Sequence, residues 1–144
     1  MDQWVGKVAV VTGATTGVGA AICVELVKAG MIVCGLAKRQ DKVEALRPLT
    51  INAKGHLNAI ECDITSEQSV HAAFCWIEKA HGGVDLLVNN AGFISNYLLL
   101  DDNNVNEFQK MLDTNLIGLI IVTKKALKMM KDRDRAGVVV NINR

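Results

Sequence analysis

Short apolar runs alternate with longer amphipathic stretches along the whole chain. Residues 7–11 carry Val8, Ala9, Val10 and Val11 and give way to Thr12-Gly13. Residues 20–29 are rich in helix formers, and Gly30 stops them. Residues 31–36 are again short and apolar. Residues 42–46 read as a brief helix that Pro48 keeps from lengthening. A third apolar run covers 57–62. Thr65 then precedes Gln68 by three, the spacing of a capping box. Val70, Ala73, Phe74 and Ile77 follow at i, i+3, i+4 and i+7, which predicts an amphipathic helix ended by Gly82-Gly83. Residues 85–89 predict a fourth strand, and a long helix is expected from about 105 to 131. Its inward stripe is read as Val105, Phe108, Leu112, Leu116, Leu119 and Thr123, with Asn115 on the same face. Residues 137–142 form a fifth apolar run.

Strands separated by helices imply parallel pairing through right-handed crossovers. Runs that are continuously apolar, not alternating, suit a sheet covered by helices on both faces. The expectation is one α/β domain over residues 1–144: an open, doubly wound parallel sheet of about five strands, with ligands at the carboxyl ends of the strands. A chain of 144 residues, half of them hydrophobic, is long enough for one packed core. Sixteen Lys and Arg against fifteen Asp and Glu leave +1, so charge makes no case for nucleic acid or an anionic membrane as partner. Cys23, Cys34, Cys62 and Cys75 form no Cys-x-x-Cys pair and read as reduced core cysteines of a cytoplasmic protein. His56, His71 and His81 lack zinc spacing, and no metal is expected. Met1-Asp2-Gln3-Trp4 does not open a signal peptide, and the apolar stretch 116–122 is far too short to span a membrane.

The first strand-to-helix turn reads Thr12-Gly13-Ala14-Thr15-Thr16-Gly17-Val18-Gly19. Glycines there let the backbone turn tightly and let a pyrophosphate approach a helix N-terminus, whose N–H groups and dipole favour an anion. The same glycines are compatible with a turn that only packs strand on helix. The spacing Gly-x-x-x-Gly-x-Gly is neither the Gly-x-Gly-x-x-Gly fingerprint nor a Walker loop. An NAD site places a carboxylate at the end of the second strand. Here Lys38 and Arg39 stand in that place, two cations suited to a 2′-phosphate, and the reading favours NADP(H). Asp63, after the third strand, suits either an adenine amino group or a turn before a helix. Asn89-Asn90-Ala91-Gly92 closes the fourth strand on the crevice side, where Asn and Gly also serve ordinary turns. Asn115 is read as a buried amide, bonded either to backbone or to a group near an active site.

Taken in order and each at its element, Thr12-Gly13-x-x-x-Gly17-x-Gly19, Asp63, Asn89-Asn90-Ala91-Gly92, Asn115 and Val139-Val140-Asn141-Ile142 closely resemble the short-chain dehydrogenase/reductase family. The resemblance covers essentially the whole chain. The segments Trp4 to Val11 and Gly35 to Arg39 resemble a narrower branch, the dehydrogenase/reductase member 11-like proteins and insect farnesol dehydrogenases. The resemblance implies a Rossmann-type fold and an oxidoreductase that interconverts alcohols and carbonyls by hydride transfer with NADPH. It assigns the glycine turn (Gly13, Thr15, Thr16, Gly17, Val18 and Gly19) to the pyrophosphate and Lys38 and Arg39 to the 2′-phosphate. Asp63 and Ile64 fall to the adenine, and Asn89, Ala91 and Gly92 to the nicotinamide ribose. Asn115 becomes the first of four catalytic residues, relaying protons through water.

The family's catalytic Ser falls at Arg144, and no Tyr-x-x-x-Lys occurs: the sole tyrosine, Tyr97, has Asp101 four residues on. The chain therefore reads as the cofactor half of a truncated enzyme, with little or no turnover expected of these residues alone. Self-association is expected through the fifth strand and the long helix. Two alternatives stay open: a non-catalytic nucleotide-binding or interaction module, and an incomplete gene product without independent function.

Overall fold

The structure is a computed structural model that describes residues 2–134 and 136–143. Arg144, to which the resemblance assigns the position of the family's catalytic Ser, lies outside the described residues. Five strands, β1 (Val8–Thr12), β2 (Ile32–Ala37), β3 (His56–Glu61), β4 (Leu86–Asn89) and β5 (Val138–Asn141), form one sheet in the order β3-β2-β1-β4-β5. Every pairing is parallel. Helices α1 (Gly17–Lys28), α2 (Gln40–Glu44), α3 (Glu67–His81), α4 (Val105–Leu112) and α5 (Leu119–Asp132) make the crossovers. The doubly wound α/β expectation holds.

The apolar runs have a direct cause. Val8 and Val10 of β1 join a core with Phe74 and Ile77 of α3 and Val122 of α5. Ala9 and Val11 join a second core on the opposite face with Cys23 and Val27 of α1 and Val43 of α2. Successive side chains leave opposite faces of a strand, so a sheet covered on both sides needs apolar residues at every position.

At the base of the sheet, Asp85 ties three elements together. Its Oδ2 accepts from the Val8 N–H at 2.9 Å, and its Oδ1 lies 4.0 Å from Nη1 of Arg133, just past α5. Its backbone N–H donates to Val8 and its carbonyl accepts from Val138, so β1, β4 and β5 meet here.

Three local expectations are corrected. The cap of α3 is Ser66, whose Oγ accepts from the Ser69 N–H at 3.2 Å, and not Thr65. Thr65 is spent on Asp63, whose Oδ1 accepts from both its N–H and its hydroxyl at 2.9 and 2.7 Å. Secondly, the long helix is interrupted: a π-helical segment, Asp113–Gly118, separates α4 from α5. The wider turn shifts the phase of the faces. The buried line is Gly118, Val122, Ala126 and Met130, while Val105, Leu112 and Leu116 of the expected inward stripe are exposed. Gly118 has no side chain to mark it in a hydrophobic pattern, yet an added Cβ there would come within 2.8 Å of Ile64, so it must be small. Thirdly, Cys23, Cys34 and Cys62 are core residues, but Cys75 is only half-buried on α3.

Candidate nucleotide-binding site

The strand order reverses between β1 and β4, where the chain leaves the sheet in opposite directions and a crevice opens at the carboxyl ends. Polar bonds stitch its two walls. The Thr12 hydroxyl accepts from the N–H groups of Asn90 and Ala91, both at 3.0 Å. In return the Asn90 amide donates to the carbonyls of Thr12 at 3.1 Å and Gly13 at 3.0 Å. Thr12 and Asn90, which the sequence reading placed in the motifs without giving either a cofactor contact, hold the glycine turn against the end of β4. The turn reading of Asn90 and the site reading are thus one feature.

α1 begins at Gly17 after Thr16, whose extended backbone is that of an N-cap but whose side chain makes no capping bond. Its first N–H groups are therefore not met by a cap, which leaves them for an anion. Gly17 has φ +56, and a Cβ on it would meet nothing within 4 Å. The position is left-handed and faces open space. Val18 beside it is exposed, and Gly19 is buried against Gly13 and Asn90.

Two clefts meet at Ala91, which lines both. The first, about 210 Å³, is bordered by Gly13, Thr15, Lys38, Arg39, Asp63 and Ile64. Thr114 of the π-helical segment also reaches it, a residue with no sequence signal. Lys38 Nζ lies 3.2 Å from Asp63 Oδ2, and Arg39 holds Asp41 through two bonds at 3.1 and 3.0 Å. Burial pushes the Asp63 carboxyl up, but its bonds to Thr65 and the Lys38 ammonium outweigh this and hold it below the usual carboxylate range. Asp63 is therefore an ionised turn residue and a wall of the cleft at once. Ile64 is buried beside it and packs on Gly118.

The second cleft, about 300 Å³, is bordered by Asn89, Gly92, Phe93, Asn115, Leu119 and Asn143 among others. Asn89 is buried; its amide donates to Thr123 Oγ1 and Asn141 Oδ1, both at 2.9 Å, which fastens β4 to α5 and β5. Its Oδ1 has no hydrogen-bond partner among the described residues. Asn115 is not buried as expected, but exposed in the π-helical segment. Its Oδ1 accepts from the Phe93 N–H at 3.0 Å, and its Nδ2 donates to the Phe93 carbonyl at 2.9 Å. Both ends of the amide thus hold the loop after Gly92. The phase shift of the π turn carries Asn115 out of the core and towards this loop.

The first cleft brings together Gly13 and Thr15 of the glycine turn with Lys38, Arg39, Asp63 and Ile64, and the second brings together Asn89, Ala91 and Gly92 with Asn115; Thr16, Gly17, Val18 and Gly19 follow in the same turn and helix start without lining either cleft. An open parallel sheet with clefts at its reversal point, over a glycine turn and an uncapped helix start, is a fold of Rossmann type. The chain belongs to the short chain dehydrogenase family, whose profile matches residues 7–143. It is 49% identical over 144 residues to a farnesol dehydrogenase of Aedes aegypti, covering 99% of this chain and 59% of that protein. It is 38% identical to dehydrogenase/reductase SDR family member 11 of Gallus gallus, covering 99% of this chain and 57% of that one. A crystal structure of a short-chain type dehydrogenase/reductase from Mycobacterium marinum superposes with a TM-score of 0.90 at 30% identity, over 96% of this chain and 54% of the other. The chain thus spans less than two thirds of the length of these relatives. The family comprises oxidoreductases that bind nicotinamide cofactors. Among the described residues there is no cluster of three or more metal-ligating side chains, and no helix is long and apolar enough to cross a membrane.

Proposed function

We propose that this chain is the NADP(H)-binding part of a short-chain oxidoreductase that interconverts alcohols and carbonyls. The observation that carries the cofactor choice is the charge at the end of β2. Lys38 and Arg39 line the first cleft, and Asp63, the carboxylate that borders it, is already engaged by Thr65 and Lys38. Lys38 and Arg39, the latter now paired with Asp41, would hold a ribose 2′-phosphate there. In this reading the turn Gly13, Thr15, Thr16, Gly17, Val18 and Gly19 takes the pyrophosphate at the α1 N-terminus. Asp63 and Ile64 flank the adenine, and Asn89, Ala91 and Gly92 face the nicotinamide ribose across the second cleft. Asn115 fixes the Phe93 loop through both ends of its amide and is read as the first of the catalytic residues, relaying protons through water. A nicotinamide cofactor held by these residues would supply or accept the hydride. The alcohol–carbonyl couple is supported by the farnesol dehydrogenase relative, whose name is that of an alcohol oxidiser.

Fluorescence titration of the chain with NADPH and NADH tests this reading. NADPH is expected to bind at least about tenfold more tightly, since a charge-assisted hydrogen bond contributes about 1.5–3 kcal/mol. A Lys38→Ala, Arg39→Ala double variant is expected to erase the difference without weakening NADH. Equal affinities in the parent chain, or a preference for NADH, would defeat the NADP(H) assignment.

We also propose that the chain self-associates. Leu112, Leu116, Ile120 and Leu127 form one exposed apolar row along α4, the π-helical segment and α5. β5 ends the sheet with Val138 and Val140 exposed. Open apolar rows and open strand edges drive association. Size-exclusion chromatography is expected to show species larger than a monomer that grow with concentration, and a Leu116→Lys, Ile120→Lys variant is expected to shrink them. A monodisperse monomer at all concentrations would remove this proposal.

A further inference from the structure

Leu87 of β4 and Val139 of β5 face the core that α3 and α5 cover. Two residues on, the pleat returns each strand to that same face, and both positions are asparagine. Asn89 and Asn141 end their strands and pair in register. Thr123 meets them from α5, beside the buried Val122. The top of an apolar face thus carries a polar set of three. Asn89, 4% exposed, joins it by donating through Nδ2 to Thr123 Oγ1 and to Asn141 Oδ1, both at 2.9 Å.

Stability does not account for this set. The buried Oδ1 of Asn89 has no hydrogen-bond partner among the described residues, and an unmet buried acceptor is destabilising. Leucine or valine at 89 and 141 would face α5 with no polar group left over, as Leu87 and Val139 do two residues earlier. A polar set kept at that cost calls for a role other than packing.

The three residues stand where the walls of the second cleft meet. Asn89 opens the stretch 89–94, which makes one wall; Ile142 and Asn143, directly after Asn141, make another; Leu119, one turn before Thr123, belongs to a third. The first two walls are already joined through the backbone. β4 and β5 pair along their length, and the Ile142 N–H donates to the Asn89 carbonyl at 2.9 Å. α5 instead meets this face through apolar side chains such as Val122 and Ala126, and such contact has no preferred direction. It also follows the π-helical segment, whose wider turn changes the phase of the helix faces. The bond from Asn89 to Thr123 is directional, and it sets the rotation of α5 against the two strand ends.

We infer that Thr123 is a positioning residue for the nicotinamide end of the cofactor: through Asn89 and Asn141 it fixes the α5 wall of the second cleft against the ends of β4 and β5. The inference rests on the NADP(H) reading above and adds to it a residue that touches no part of either cleft. Thr123 works on the second cleft alone. The first cleft, lined by Lys38, Arg39 and Asp63, does not depend on it.

Calorimetric titration of the full chain with NADPH and with adenosine 2′,5′-bisphosphate, which lacks the nicotinamide half, tests this. The parent is expected to bind NADPH at least about tenfold more tightly than the fragment. In Thr123→Val that ratio is expected to fall at least about fivefold, through weaker NADPH binding, with the fragment held within about twofold of the parent. Asn141→Ala, at an exposed position, is expected to lower the ratio in the same sense. Thr123→Ser keeps the hydroxyl and should keep the ratio. Val122→Ala, at the neighbouring buried position, is expected to lower Tm and leave the ratio alone. A Thr123→Val chain with the parent's ratio would overturn the inference, and so would a Val122→Ala chain whose ratio falls as far. Equal binding of the two ligands by the parent would overturn it too. A parent that binds neither ligand removes the NADP(H) reading and this inference with it, so the fragment titration tells the two failures apart.

Discussion

Replacing Gly19 with valine is expected to lower NADPH affinity by at least about a hundredfold, roughly 2.7 kcal/mol, and to destabilise the fold. A Cβ at this position would collide with the Gly13 carbonyl and with the Asn90 amide. Neither neighbour can step aside cheaply. Gly13 is backbone, in the turn that lines the first cleft, and Asn90 is pinned by its bonds to Thr12 and Gly13. Relief of the clash therefore shifts the turn, and with it the N–H groups proposed above to take the pyrophosphate. Overpacking of this kind costs about 1–3 kcal/mol, so a fall in Tm of roughly 5 °C is expected. Gly17→Ala is the contrasting substitution. Its Cβ enters open space, so the cost is that of a left-handed alanine alone, about 1 kcal/mol. Fluorescence titration and thermal unfolding of both variants measure the two effects. A Gly19→Val chain that binds NADPH like its parent would show that the glycine turn serves packing only.

The second large effect is expected at Asp85. Asp85→Ala should reduce stability by about 3 kcal/mol, seen as a fall in Tm of roughly 6–12 °C. The carboxylate is 5% exposed and faces the buried Val8 N–H on one side and Arg133 on the other. Its removal leaves an amide donor unpaired inside the sheet, which costs about 1–3 kcal/mol. It also removes the charge opposite Arg133, whose buried Nη1 has no hydrogen bond among the described residues. Asp85→Asn keeps an acceptor for Val8 but not the charge, and should lose about half as much. Urea unfolding monitored by circular dichroism would separate the three chains; a loss below about 1 kcal/mol for alanine would show that the cluster is not a main tie of the sheet.

Much of the architecture is legible in the residues alone, for reasons that are local. Valines and alanines at successive positions of β1 mark a strand buried on both faces, whatever its neighbours are. Gly13, Gly17 and Gly19 mark a turn and helix start at which few other residues fit. Lys38 and Arg39 mark the charge at the end of β2, since a strand end is readable from where its apolar run stops. The order of these motifs carried the family as well.

What the sequence by itself determined, then, is whatever depends on neighbours in the chain: the alternation of elements, the covered parallel sheet, the glycine turn, the residues gathered at its carboxyl ends. Contacts between distant segments were decided by the tertiary structure. The π-helical turn rotates the helix surface out of an α period, so the buried line passes through Gly118 and Val122 and Asn115 turns outward to Phe93. Asn90 gains its role only when β4 lies beside β1, which brings Thr12 and Gly13 to its amide. Ser66 and Thr65 both suit a helix start; the strand-end carboxylate of Asp63 claims Thr65 and leaves the cap to Ser66. His71 and Lys125, 54 positions apart, meet because α3 and α5 pack on the same face of the sheet. Periodicity and propensity describe a segment against its own helix or strand axis. They carry no information on which other segment supplies a side chain's partner, and at this site that partner decides what Asn90 and Asn115 do.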